Sequence, residues 1–368
     1  MSLSSLIRRI VFALLASLLV IGAARAREVT DIAGRHVDVP DKVTRVVLGE
    51  GRLVYALALL DRADPFRRVV GWQNDFRLMD PHTFASFAAK YPEVGKIPLI
   101  GQASEQSVSA ERILSLRPDL VILSLAGHGL TEHSEVPALL AQAGIPVIFV
   151  DFRVDPLANT PKSIALLGKA LGREKEAADY VAFYESHLKR VTDAVAALPA
   201  TARPKVFLEL LAGVWQAPGH TTGKGGVADM IAAAGGYNIA AGIVPGALGD
   251  ISVEAVLHAD PDIYIASGNR APGLLLGANV TEADAKASFA KLLADSPFKD
   301  LRAIRAQRVL GIWHDFYNSP YNILLVEALA KAIHPELFGA LDPTATLHDL
   351  DTHYLDAPQA GTYWVSAP

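Results

Sequence analysis

The side chains best suited to hold a small molecule in this 368-residue chain sit just past short apolar runs. Arg52 lies in "GEGR", Arg153 follows "VIFVDF" and Arg270 follows "IYIASGN". Trp72 follows "RVVG", Trp215 follows "VFLELLAG", and Trp313 closes "RVLGI". A guanidinium fork matches carboxylate or catecholate oxygens, and an aromatic face suits a flat chelate or a cation. The densest polar-aromatic patch is "GIWHDFYNSPYN", 311 to 322, which adds His314, Tyr317 and Asn318. His128 and His133 in "AGHGLTEH" and His220 in "PGHTTGKGG" bring further hydrogen-bonding groups. "TTGKGG" lacks P-loop spacing but offers backbone N–H groups to an anion at a helix start. The ordinary alternatives are core packing for tryptophan and a solvated surface for arginine. At least one of the three tryptophans is expected to be core. The shared placement, from both halves of the chain, argues for a site. Ser, His and Asp are all present, but without a G-x-S-x-G elbow or an H-E-x-x-H pair the reading of a periplasmic hydrolase finds no motif.

The runs themselves are the positioning elements. "RVVLG", "VVGW", "DLVILS" and "PVIFVD" in the first half, then "KVFLEL", "DIYIAS" and "RVLGIW" in the second, alternate with amphipathic stretches. Continuous apolar runs of this length predict parallel strands buried on both faces, with ligand-binding loops at their C-terminal ends. "VTDIAGRHVDVP", 29 to 40, predicts a hairpin turning at Gly34. "VSAERILSLRPDLVILS", 108 to 124, returns 143 positions later as "ISVEAVLHADPDIYIAS", 251 to 267, with seven of 17 positions identical. That offset is lobe-sized, so two similar lobes are expected. In each copy a Ser begins a short helix, a Glu stands two residues on, and Pro-Asp stops it. Helix capping and dipole electrostatics account for that much. Between the lobes, Ala177, Val181, Tyr184, Leu188, Val191, Val195 and Leu198 give one apolar face from Arg173 to Leu198, a strut that limits closure. The expected fold is α/β: two Rossmann-like lobes joined by a single long backbone helix, with a ligand cleft between them. The expected segments are 1–26, 27–157, 158–198 with the backbone helix, and 199–368.

Arg8 and Arg9, the apolar run Ile10 to Ala24 and "ARA" at 24 to 26 have the layout of a secretory signal peptide. The run is too short to span a bilayer, which takes about 20 residues. There is no cysteine, so neither disulfides nor a lipid-anchoring thiol are expected, and the core must supply stability. The formal charge of −5 becomes −8 without Arg8, Arg9 and Arg25, which argues against nucleic acid as a partner. A soluble periplasmic monomer without a cofactor is the expectation.

The signal, the "VTDIAGRHVDVP" entry, the paired S-x-E…PD phrase and the strut together resemble a helical-backbone (class III, cluster A) periplasmic substrate-binding protein. That family serves ABC importers of ferric siderophores, haem and cobalamin, and the resemblance covers essentially the whole chain after the signal. It implies a binding protein, not an enzyme, with one Glu per lobe docking into arginine pockets of a dimeric inner-membrane permease. The matching residues are Glu111 and Glu254. "GIWHDFYNSPYN" and "HPELF", 334 to 338, are similar to a branch assigned mainly to ferric siderophores, with some relatives linked to molybdate. An iron(III) chelate is therefore the ligand expected first and an oxyanion second. Metal-ion binders of similar architecture use three His and a carboxylate, for which His128, His220, His314 and Asp315 are the available set. Haem, ranked lower with cobalamin, would draw on Tyr317 or His314.

Overall fold

The structure, a computed structural model, describes residues 26–125, 134–215, 217–356 and 360–367. The expected signal segment, His128 and His133 lie outside these residues, apart from Ala26, which begins the first strand.

The chain opens with the predicted hairpin, β1 (Ala26–Thr30) against β2 (His36–Pro40). Gly34 turns it with φ of +81°, a left-handed conformation that costs glycine nothing. The first lobe is a sheet of β3 (Val46–Leu48), β4 (Val69–Gln73), β5 (Leu99–Gly101), β6 (Leu120–Ser124) and β7 (Val147–Val150). Its order is β5-β4-β3-β6-β7, and every pairing is parallel.

The second lobe begins with β8 (Lys205–Glu209), the short β9 (His220–Thr221), β10 (Tyr237–Asn238) and β11 (Gly249–Asp250). It continues with β12 (Ile263–Gly268), β13 (Gly277–Ala278), β14 (Val309–Trp313), β15 (Gly361–Thr362) and β16 (Trp364–Ser366). The main sheet runs β10-β8-β12-β14-β16, parallel except for the antiparallel edge strand β16. All seven predicted runs are strands. The second copy of the repeated phrase does in its lobe what the first does in the other: each helix feeds a strand paired in parallel with the lobe's leading strand. Arg117 and Asp260, the residues before each Pro-Asp, share a left-handed φ of 46° and 41°. Asp119 then accepts hydrogen bonds from the Thr44 and Arg45 N–H groups, and Asp262 from that of Lys205, so each aspartate pins the start of the neighbouring strand.

The strut is helix Glu174–Ala196, 23 residues long, packed along helix Pro156–Leu171. Ala177, Tyr184, Val191 and Val195 are buried as the apolar face requires, joined by Tyr180. The tyrosines do more than pack. Tyr180 Oη donates to the Pro320 carbonyl and Tyr184 Oη to Asn322 Oδ1, while Asn322 Nδ2 donates to Thr160 Oγ1. The fully buried helix Val54–Leu60 of the first lobe also lies against the strut. One apolar core consequently runs without a break from one lobe to the other. Among the described residues no helix is long and apolar enough to cross a membrane.

Candidate functional site

Because the strands of both lobes end toward one another, the residues that follow them meet in a cleft. A cavity of about 250 Å³ lies there, walled by Arg52 and Met79 of the first lobe and by Trp215, His220, Arg270, His314 and Tyr317 of the second. Leu210, Leu211, Val227 and Leu248 add an apolar side. Five of the eight expected ligand contacts are thereby brought together: Arg52, Trp215, Arg270, His314 and Tyr317. Arg153 stands immediately behind them, its guanidinium carbon 5.4 Å from the centre of the Tyr317 ring.

Trp72 and Trp313 are corrections. Trp72 belongs to the body of β4, and its indole packs edge-on to Phe66 and Phe76 in the core. Trp313 lies between Tyr55 of the first lobe and Tyr363, both edge-on, above Gly277, where a Cβ would stand 2.9 Å from the indole nitrogen. Only Trp215 presents its ring, 54% exposed, against His220 at 5.1 Å.

The arginines also divide. Arg52 is 8% exposed and is held by Asp75 at 2.9 Å, Asp315 at 2.8 Å and Glu50 at 3.6 Å. Carboxylates of the chain already match its charge, one of them from the opposite lobe, although the residue stays in the cavity wall. Burial pushes the Glu50 carboxyl up, but Arg153 at 2.7 Å and Arg52, with Asn318, outweigh it and hold the group below its ordinary value. For Asp75 burial prevails over Arg52 and raises the carboxyl. Arg270 differs from both. It donates to the Met79 carbonyl and to Asn269 Oδ1, and makes no ion pair among the described residues. Asn269 reaches across as well, donating to the Met79 carbonyl and to Asp315 Oδ2.

Behind this network Tyr55 Oη donates to Asp80 at 2.5 Å, and burial beside Asp315 pushes the Asp80 carboxyl up to about 7. His314 moves the other way. Burial, reinforced by Arg52, Arg270 and His220, lowers it to about 3 against the pull of Asp315. It contributes a neutral imidazole. His220 is oriented by Asp250, 2.9 Å from Nδ1.

"TTGKGG" is a further correction. The Gly226 N–H donates to the Val154 carbonyl, those of Ala228 and Asp229 bond back into the loop, and Asp229 sits in the first turn of the helix. The Gly226 N–H thus serves the contact between lobes, and those of Gly223, Lys224, Ala228 and Asp229 are committed within the second lobe, so these donors are not held for an anion. Among the described residues no group of three or more His, Cys, Asp or Glu is arranged to hold a metal ion, and Asp315 is already bound to Arg52 and Asn269. Glu111 and Glu254 are exposed second residues of helices Ala110–Ser115 and Val253–Ala259, capped by Ser109 and Ser252. Each helix runs back into a strand that ends at the cleft, so both helix starts, and both carboxylates, lie on the cleft side.

Sequence reasoning missed Glu50, Asp75, Asp80, Asn269 and Met79. Glu50 was within reach, two residues from Arg52 in "GEGR". The others carry no local signature.

A family model described as periplasmic binding protein matches residues 77–314. The chain belongs to this family. It is an extracytoplasmic binding protein of the ABC-transporter type, which hands a small ligand to a membrane permease, and it is not an enzyme. It is 22% identical to the molybdate-binding protein MolA of Haemophilus influenzae, over 93% of this chain and 95% of that one. It is 26% identical to the ABC transporter substrate-binding lipoprotein YvrC of Bacillus subtilis, over 81% and 82%. The TroA-like periplasmic binding protein FepB from Veillonella parvula superimposes with a TM-score of 0.83 at 27% identity, over 93% of this chain and 99% of that one.

Proposed function

We propose that this protein captures an anionic iron(III) chelate, a siderophore complex, and delivers it to an inner-membrane ABC permease. One observation carries the reading: a cavity with an apolar wall and the Trp215 ring surrounds Arg270, a cation that no carboxylate of the described chain neutralises. An organic chelate offers apolar surface to that wall and charged oxygens to that cation. Isothermal titration of the purified protein with ferric tricatecholate, ferric trihydroxamate and molybdate tests it. Binding of a ferric chelate, weakened by Arg270→Gln, is expected; binding of molybdate alone would overturn it.

Molybdate is the second reading, favoured by the likeness to MolA over nearly the whole chain. Residues 1–26 are proposed to direct export to the periplasm. Glu111 and Glu254 are proposed as the docking charges, one per lobe, since both are exposed, face the cleft side and make no ion pair among the described residues.

A further inference from the structure

The repeated phrase ends in each lobe on a serine at the cleft end of a buried strand, Ser124 on β6 and Ser267 on β12. The two differ. Ser124 Oγ lies near Glu50 but outside hydrogen-bond geometry. Ser267 is 1% exposed and fully engaged: Oγ accepts the Leu211 N–H at 3.0 Å and lies 2.9 Å from His314 Nδ1, and its carbonyl accepts the Ala212 N–H. Leu211, with φ of 47°, is thereby held in a left-handed conformation beside the cavity that its side chain lines.

This hydrogen-bond arrangement determines where the imidazole proton sits. A serine hydroxyl has one proton to donate, and among the described residues Ser267 Oγ bonds to no other acceptor. Were His314 to carry its proton on Nδ1, the hydroxyl would receive two N–H donors and its own proton would be buried unpaired, the costly arrangement. With Nδ1 as acceptor both the hydroxyl and Nδ1 are satisfied, and the proton belongs on Nε2, where it is left to face the cavity. The ring is neutral, so Nε2 offers that proton and no lone pair. A histidine that ligates a metal needs the reverse: its other nitrogen donates, usually to a carbonyl or carboxylate, which frees the lone pair for the metal.

We propose that Ser267 is a positioning residue that fixes His314 as an Nε2–H donor, so that the cavity selects cargo whose metal centre is coordinatively saturated and shows only negatively charged oxygens. This deepens the reading of the cavity as the ligand site and rests on it. The oxygen comes either from an organic chelator or from an oxo group of a molybdate-like anion. A metal with an open coordination position finds no lone pair at His314.

The tautomer is read directly from long-range proton–nitrogen correlation spectra of the nitrogen-15-labelled protein, with His314 assigned by its loss in His314→Gln. The Nε2–H form is expected in the wild type. Ser267→Ala should mix the tautomers and Ser267→Thr should retain the original one. An Nδ1–H wild type would overturn the proposal whether or not any variant folds well, as would an unchanged tautomer in Ser267→Ala. Binding gives the second arm. Glutamine places an N–H₂ near the position of Nε2, so His314→Gln should keep affinity for the bound probe within about threefold, whereas His314→Ala should lose about tenfold. Ferric tricatecholate and molybdate, tested separately, identify the source of the oxygen. Ni²⁺ should not bind through His314; Ni²⁺ binding abolished by both substitutions, or equal losses of oxygen-ligand affinity in Gln and Ala, would sink the idea. If neither oxygen probe binds, the chelate reading fails while the tautomer measurement still decides this one.

Discussion

The two walls of the cleft are built on opposite electrostatic plans. On the first-lobe side Arg52 and Arg153 are matched by Glu50 and Asp75 of the same lobe and by Asp315, whose bond to Arg52 crosses between lobes. On the second-lobe side Arg270, His220 and Trp215 face the cavity with lighter internal commitments. The first wall is a joint, and the second is the receptor in the function proposed above. The same residue type therefore has different work in the two places, and charge alone does not say which.

The largest test of that contrast is thermodynamic. Arg52→Ala leaves Asp75 and Asp315 buried without their cation, and breaking a buried pair from one side costs about 3–5 kcal/mol. Arg270→Gln breaks no ion pair and should change stability by no more than about 0.5 kcal/mol while lowering affinity for an anionic ligand. Urea denaturation and calorimetric titration of both variants would reverse the assignment if Arg270→Gln proved the destabilised one.

The second test concerns the exposed helix starts on the cleft side, where the lobes are expected to be alike. Glu111 and Glu254 occupy equivalent helix starts, so Glu111→Lys with Glu254→Lys should leave fold and ligand affinity intact and abolish most uptake. Each contact is worth about 1 kcal/mol or more once desolvated on docking, so losing both weakens the complex by about tenfold or more. Normal uptake by the double variant in cells would return both residues to simple helix-dipole electrostatics.

These contrasts were unevenly legible in the sequence. The strands, the hairpin at Gly34, the strut and the lobe repeat were readable because hydrophobic period and turn chemistry are local properties. Which tryptophan would face the cavity was not, since Trp72 and Trp215 both follow apolar runs and only the packed aromatic cluster around Phe66 and Phe76 separates them. Nor was the fate of Arg52, whose partner Asp315 is 263 positions away on the other lobe. A charge pair across an interface leaves no spacing to read. The antiparallel edge strand β16 was missed for a similar reason: its few residues pair only because the β14 edge is there to receive them.

A smaller effect separates the walls by pH. Asp80, on the joint side, has a folded value of about 7 against an ordinary 3.8, so the folded protein holds a proton that the unfolded chain releases. Its contribution is complete below 3.8 and is lost as pH rises to about 7. His314, on the receptor side, is at about 3 against 6.5, so its contribution is present above 6.5 and is lost as pH falls toward 3. Between 3.8 and 6.5 the slopes oppose, each no steeper than about 1.4 kcal/mol per pH unit. Relative to wild type, Asp80→Asn should lose stability more steeply as pH falls, and His314→Gln should lose it less. Denaturation series across that range that run parallel for all three proteins would remove the contrast.

The smallest expected effect is mechanical. A hinge between lobes closes far only if few bonds cross it, and here many do. The strut buries Tyr180 and Tyr184 against the second lobe, where their hydroxyls reach Pro320 and Asn322, and Asn322 reaches back to Thr160. Arg52 binds Asp315, Asn269 binds the Met79 carbonyl, and Asn318 donates to Glu50. The tail adds Arg62 to the Thr352 carbonyl and Lys90 to Asp356, again across lobes. Large closure would break these bonds or shear the continuous core, and a small ligand in one cavity supplies few new contacts to offset the loss. Ligand should therefore lower the radius of gyration by less than about 1 Å from roughly 20 Å. Small-angle scattering with and without the bound chelate measures this. A larger fall would mean that the joint opens in solution, and Arg52→Ala should then close further than wild type, since it loses the ion pair to Asp315, one of the bonds that tie the first wall to the second.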